Sequence, residues 1–146
     1  MKSYTTEEQS RKLLSLGIDT NLADMCFVII DGDDYQEAYY SKMPYSKVEK
    51  NRASDLFDGV HGYRKEILPV FKFKTLLSMM PCQITGEDGR KYTKMSDGTS
   101  IRYSIVKTDH DGVPFEETYQ SFNYSRSKYV NIFDMACYLL EKGLLK

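Results

Sequence analysis

Apolar and polar positions change period several times along this chain, and each change marks an element. In the opening segment, "TTEEQSRKLLSLG", Leu13, Leu14 and Leu16 supply an apolar side, which predicts a helix over about residues 6–16. Thr5 and Glu8 have the spacing of a capping box, Glu7 and Glu8 sit at the positive end of the dipole, and Gly17 is a natural stop. Residues 26–30 form a short apolar run closed by Asp31-Gly32-Asp33-Asp34, which predicts a buried strand and a turn, with "YQEAYY" as the returning strand. Farther on, "ILPVFKFKTLLSMMP" leads into a helix over about 73–80, with Pro69 placed near its start and Pro81 at its end. The last stretch, "VNIFDMACYLLEKGLLK", predicts a helix over 131–142. Asn131 is its N-cap, Ile132, Met135, Ala136 and Leu139 form its buried stripe, and Gly143 is its stop.

Between these last two helices the pattern switches to period two. Ile101, Tyr103 and Ile105 alternate with Arg102, Ser104 and Val106. Asp-Gly pairs at 88–89, 97–98 and 111–112 punctuate the region. Glycine accepts positive φ and aspartate bonds its own backbone, so such pairs between alternating segments signal hairpins. The expected result is a meander of four antiparallel strands, about 82–85, 91–95, 99–107 and 115–122.

Residues 41–66 show no clear period. Pro44, Gly59 and Gly62 punctuate them, and "SKVEKNRASDLF" reads equally as a polar helix capped by Ser46 or as a loop. The whole pattern predicts an α+β fold in one domain over 1–146. An antiparallel meander of about four to six strands, extended by the 26–40 hairpin, carries about three helices on one face, and 41–66 is an insertion.

Composition adds little to this outline until charge is placed along the chain. Net charge is −1, which argues against broad attraction to nucleic acid or anionic membrane. Residues 1–41 hold three Lys/Arg against eight Asp/Glu, whereas 42–75 hold eight against four. The +4 segment nominates a basic patch. Its candidate binding residues are Tyr45, Lys47, Lys50, Arg52, His61, Tyr63 and Arg64.

The twelve Tyr, with seven Phe and no Trp, suit a core close to the surface. Cys26, Cys82 and Cys137 are far apart and set among apolar residues, so buried free thiols are expected. The N-terminal residues lack an apolar signal core and no apolar run reaches membrane-span length, which predicts a cytoplasmic protein with no membrane partner.

Motifs for chemistry are few. A calcium loop started at Asp31 would need glycine at its sixth position and a carboxylate at its twelfth, where Gln36 and Lys42 stand; started at Asp109, its fifth position is Val113. Neither phosphate-loop glycine pattern occurs, so no cofactor and no metal is predicted. His61 and His110 each lie beside glycine in a turn, without a visible triad or ligand set, so no catalytic residue is assigned. Lys91, Lys94, Arg102 and Lys107 interleave with Tyr92 and Tyr103 as in RNA-binding sheets. Tyr103, however, shares the Ile101/Ile105 face, and Glu116 and Glu117 stand ready as cross-strand partners.

One resemblance covers both ends and the middle of the chain. The E-Q-S-x-x-L-L-x-L-G opening at 8–17, "LLSMMP" at 76–81 and "ACYLLEKGLLK" at 136–146 resemble small uncharacterised proteins of gut Bacteroidales genomes and their prophages. The resemblance implies a phage or prophage origin and carries over no catalytic residue. Three functions are therefore open. The first is a non-enzymatic protein-interaction module with a protein partner. The second is a nucleic-acid binder using the 42–75 segment. The third is a small enzyme with a histidine base.

Overall fold

The computed structural model describes residues 2–32, 36–49, 57–58 and 63–145, by backbone alone at 49, 57–58 and 63–65. The chain is of the α+β class, as its pattern predicts, and it divides into two compact units, Met1–Thr75 and Leu76–Lys146. Each unit has its own antiparallel sheet.

The N-terminal unit contains α1 (Glu7–Ser15), β1 (Met25–Asp31), β2 (Gln36–Ser41), α2 (Tyr45–Glu49), β3 (Phe57–Asp58) and β4 (Tyr63–Val70). Its sheet has β1 at the centre between β2 and β4, and the two residues of β3 pair with the far side of β4. The 26–40 hairpin thus pairs with β4 and does not extend the meander. The Ile67–Val70 stretch forms strand rather than the lead-in to a helix. Pro69 is tolerated there because it lies opposite Cys26 and beyond the reach of β3, where β4 has only one neighbouring strand among the described residues.

Helix α1 is capped one residue later than expected. Gln9 N donates to Thr6 Oγ1 at 3.2 Å, and Thr6 N donates to Gln9 Oε1 at 3.0 Å, so the box is Thr6–Gln9 and not Thr5–Glu8. Thr5 is instead wholly buried, where its hydroxyl has a different task described below.

Helix α3 (Phe73–Met79) spans the division between the units. The C-terminal unit continues with β5 (Gln83–Thr85), β6 (Lys91–Asp97), β7 (Ser100–Thr108), β8 (Pro114–Phe122) and α4 (Lys128–Glu141). The strands pair in chain order, as a meander should. Gly89, Gly98 and Gly112 have φ of +79°, +53° and +80°, so all three Asp-Gly steps are turns. At the tightest, Asp97 pairs with Ser100 across Gly98-Thr99; only the glycine has positive φ, the type II′ pattern that matches strand twist. Asp88 Oδ1 accepts from Arg90 N, and Asp109 Oδ1 accepts from Asp111 N and Val113 N. Asp88 thus bonds its own turn, while in the last turn the bonding aspartate is Asp109, two residues before the Asp111-Gly112 pair.

Helix α4 packs on β7 and β8 and buries Ile132, Phe133, Met135, Ala136, Leu139 and Leu140. It ends as predicted. Gly143 has φ +70°, Leu144 N donates to Leu139 O, and Gly143 N donates to Leu140 O, the two bonds of a Schellman stop. Its start is not as predicted. The N-cap is Ser127, and Asn131 lies inside the first turns, fully buried. Cys26 and Cys137 are buried as expected, but Cys82 is exposed, at the start of the short edge strand β5 where there is little to cover it. No helix among the described residues is long and apolar enough to cross a membrane.

Candidate functional site

Of the seven residues proposed from sequence, four fall among the described residues, and they lie on α2 and β4. Tyr45 is only 2 % exposed, so its ring belongs to the core and is closed to a partner. Lys47 is exposed on α2. Tyr63 and Arg64 lie on β4, opposite Asp58 and Phe57. Lys50, Arg52 and His61 lie outside the described residues. His110 sits on an exposed turn with its side chain 92 % accessible, 3.6 Å from Asp111. A general base held in a pocket is not built there.

Most of the basic and aromatic residues singled out on the meander are already engaged, Lys91 excepted. Tyr92 and Tyr103 are buried, and Tyr103 donates its hydroxyl to Pro81 O at 2.6 Å. Lys94 Nζ donates to Leu77 O and Met80 O at the C-terminal end of α3, where a cation offsets the helix dipole. Lys107 pairs with Glu117, which also receives Arg90. Arg102 grips Glu116 through Nε and Nη2, at 2.6 and 3.0 Å, and reaches Asp97 at 3.1 Å. The face therefore reads as paired charge, as the glutamates on β8 suggest.

Arg102 holds both the Glu116 and the Asp97 carboxyls below the usual carboxylate range, chiefly by hydrogen bonding to them. A carboxyl with a depressed folded pKa binds its proton more readily in the unfolded chain. The stability it contributes is complete above the unfolded value, near about 4, and is lost as pH falls through the folded value. An Arg102→Met variant should therefore be less stable than wild type at neutral pH, and the gap should narrow as the pH drops below about 4. Urea midpoints measured across that range check this. A gap that stays constant into strong acid would show that the arginine acts by packing alone.

A different concave site forms in the N-terminal unit, and it is assembled from four stretches of chain. Residues 3–5 run beside 71–73. Thr5 N donates to Phe71 O at 2.9 Å, Phe73 N donates to Ser3 O at 3.0 Å, and Tyr4 bridges Lys72. Beneath this strap Phe71 N donates to Thr5 Oγ1, and the Thr5 and Ser10 hydroxyls are hydrogen-bonded at 2.8 Å in full burial. Thr5 is thus the anchor that fixes Tyr4 over the sheet.

The register places Phe27 opposite Tyr40 on one side and Leu68 on the other, so the three share a face. Phe27, Leu68 and Val70 are buried as one cluster, with Tyr4, Met25 and Tyr40 packed against it. The Tyr4 and Tyr40 rings meet edge-on at 4.7 Å, and Tyr40 meets Phe27 edge-on at 4.8 Å. Asp24 completes the frame by accepting from Lys72 N at 2.8 Å and Thr75 Oγ1 at 2.9 Å.

The result is a cleft of about 550 Å³ lined by Ser3, Tyr4, Asp24, Met25, Tyr40, Lys42 and Lys72. Lys2 joins from the rim, its Nζ 4.6 Å from the centre of the Tyr40 ring and 5.8 Å from that of Tyr4. The Lys42 and Lys72 side chains are exposed and form no ion pair with a described residue. Asp24 is the one carboxylate among the described lining residues, and its oxygens accept from Lys72 N and Thr75 Oγ1. Burial, then Tyr4 and Glu7, pushes the Tyr40 hydroxyl up, so it remains protonated at neutral pH.

This arrangement offers cationic groups above an aromatic wall. It can hold an anion that carries an apolar or flat body. It pairs no nucleophile with a base in its lining, and no group of three or more His, Cys, Asp or Glu able to hold a metal occurs among the described residues. No family model, curated protein or solved structure matches this chain.

Sequence reading names none of the cleft residues as site residues, although Lys42 and Lys72 stand at the two ends of the basic 42–75 segment. That charge excess was the available signal. The tyrosines gave none, because Tyr4 and Tyr40 are separated by a helix and a strand and come together only through the strap and the register.

Proposed function

We propose that this chain is a non-enzymatic binding module that holds an anionic partner in the Tyr4/Tyr40 cleft. The observation that carries the reading is the set of lysines at positions 2, 42 and 72 around that aromatic wall, without carboxylate partners among the described residues. A structural network would be expected to neutralise them, as the C-terminal unit does with Arg102, Lys107 and Arg90. Phage or prophage origin, drawn from the sequence resemblance, belongs to the same proposal.

Inorganic polyphosphate is a suitable first probe, because it carries charge and nothing else. It should bind the full chain with an affinity that falls about twentyfold between about 50 and 200 mM salt, as expected when some three cations displace condensed counterions. A Lys42→Ala/Lys72→Ala variant should bind at least about tenfold more weakly while melting as wild type does, since both side chains are exposed. Calorimetric titration reads both quantities. Equal binding by the two proteins, or none by either, would remove the cleft as an anion site.

A further inference from the structure

We infer that the ligand of the cleft is a nucleotide unit of single-stranded nucleic acid, its base against the Tyr4/Tyr40 wall and its phosphate among Lys2, Lys42 and Lys72. This rests on the anion-binding reading above and narrows it to one chemistry.

Three features select that chemistry. First, the cations are lysines. Lysine serves phosphate oxygens as a compact point charge. Arg11, Arg90 and Arg102 are meanwhile committed to glutamates elsewhere. Second, the cleft joins charge to ring surface. An acidic side chain has no aromatic body to stack on a tyrosine ring, but every base has one. Third, about 550 Å³ suits a single nucleotide-sized body and not a folded surface. A duplex keeps its bases stacked inside, so single strands are the form that can present one.

The net charge of −1 sets the scale of the interaction. There is no broad positive field to add to the local contacts. The salt dependence should therefore reflect about three phosphate contacts, a slope near −2 in log affinity against log salt for a single strand.

The test compares three fluorescently labelled anionic ligands of equal charge by anisotropy with the full chain: an eight-nucleotide oligothymidine, an abasic oligonucleotide of the same length, and an acidic peptide. The oligothymidine should bind about tenfold more tightly than the abasic strand, the range expected of base–tyrosine stacking. Tyr4→Leu should reduce oligothymidine binding to the abasic level and leave abasic binding unchanged, a split that general unfolding cannot produce. A cooperative thermal melt of Tyr4→Leu, followed by circular dichroism, guards against a variant that simply misfolds. Equal binding of intact and abasic strands would overturn the nucleotide inference and leave the anion site standing. Tighter binding of the acidic peptide would also overturn it and move the partner to protein. Absence of binding to all three ligands would overturn the inference and the anion site together.

Discussion

A Leu139→Asp variant is expected to lose the cooperative unfolding transition of the C-terminal unit altogether. Leu139 is fully buried on α4, in the stripe with Met135 and Ala136, and the helix packs on β7 and β8. Truncating such a leucine to alanine costs about 2–5 kcal/mol from lost transfer energy and the cavity left behind. Aspartate adds the desolvation of an unpaired carboxylate, several kcal/mol more. Domains are stable by only about 5–15 kcal/mol, so the sum consumes most or all of that margin. Leu139→Ala provides the graded companion and should lower stability by about 3 kcal/mol. Urea titrations followed by tyrosine fluorescence separate the two. A soluble aspartate variant melting as wild type would show that α4 is not the keystone of its unit.

Asn131→Leu is the second large effect, and it acts through hydrogen bonds and not through packing. Asn131 is fully buried, and its carboxamide has three partners. Ser125 N donates to Oδ1 at 3.1 Å, and Nδ2 donates to Thr99 O at 2.7 Å and Ser125 O at 3.0 Å. The side chain thus ties the segment before α4 to the turn between β6 and β7. Leucine keeps the branched shape but leaves those three backbone groups without it. Each orphaned group costs about 1–3 kcal/mol, with water recovering part, so a loss of about 3 kcal/mol or more is expected. A change below about 0.5 kcal/mol, within the range of ordinary surface substitutions, would show that the backbone groups find other partners.

Elements with strong local signals were legible in the sequence. The three Asp-Gly turns needed only the conformational freedom of glycine, helped at Asp88 by the short reach of aspartate, and they marked the ends of the meander strands. Gly143 announced the end of α4 in the same way. What failed was the choice between neighbours of like chemistry. Thr5 and Thr6 are both competent caps, and tertiary contacts with Ser10 and Phe71 decided which one stayed free for the task. Asn131 is a good cap residue by type, but three long-range and loop bonds claimed it first. The Ile67–Val70 run carried no period that separates a strand from a buried helical segment. The partition of strands between two sheets depended on pairing β1 with β4, some forty residues away in sequence, and nothing local encodes that pairing.

The candidate cleft was the least legible feature for the same reason. Its lysines come from residues 2, 42 and 72, and its rings from 4 and 40. Only the charge excess of 42–75 pointed toward it, and of the residues that excess nominated, Tyr45 is buried in the core.

The most direct measurement of the central claim is a backbone amide NMR titration of the full chain with a mononucleotide, run beside the same titration with its nucleoside. The nucleotide should shift the resonances of Tyr4, Asp24, Met25, Tyr40, Lys42 and Lys72 together, on one saturable curve, and the uncharged nucleoside should shift them far less. Perturbations confined to the C-terminal unit, or none at those six positions, would contradict it.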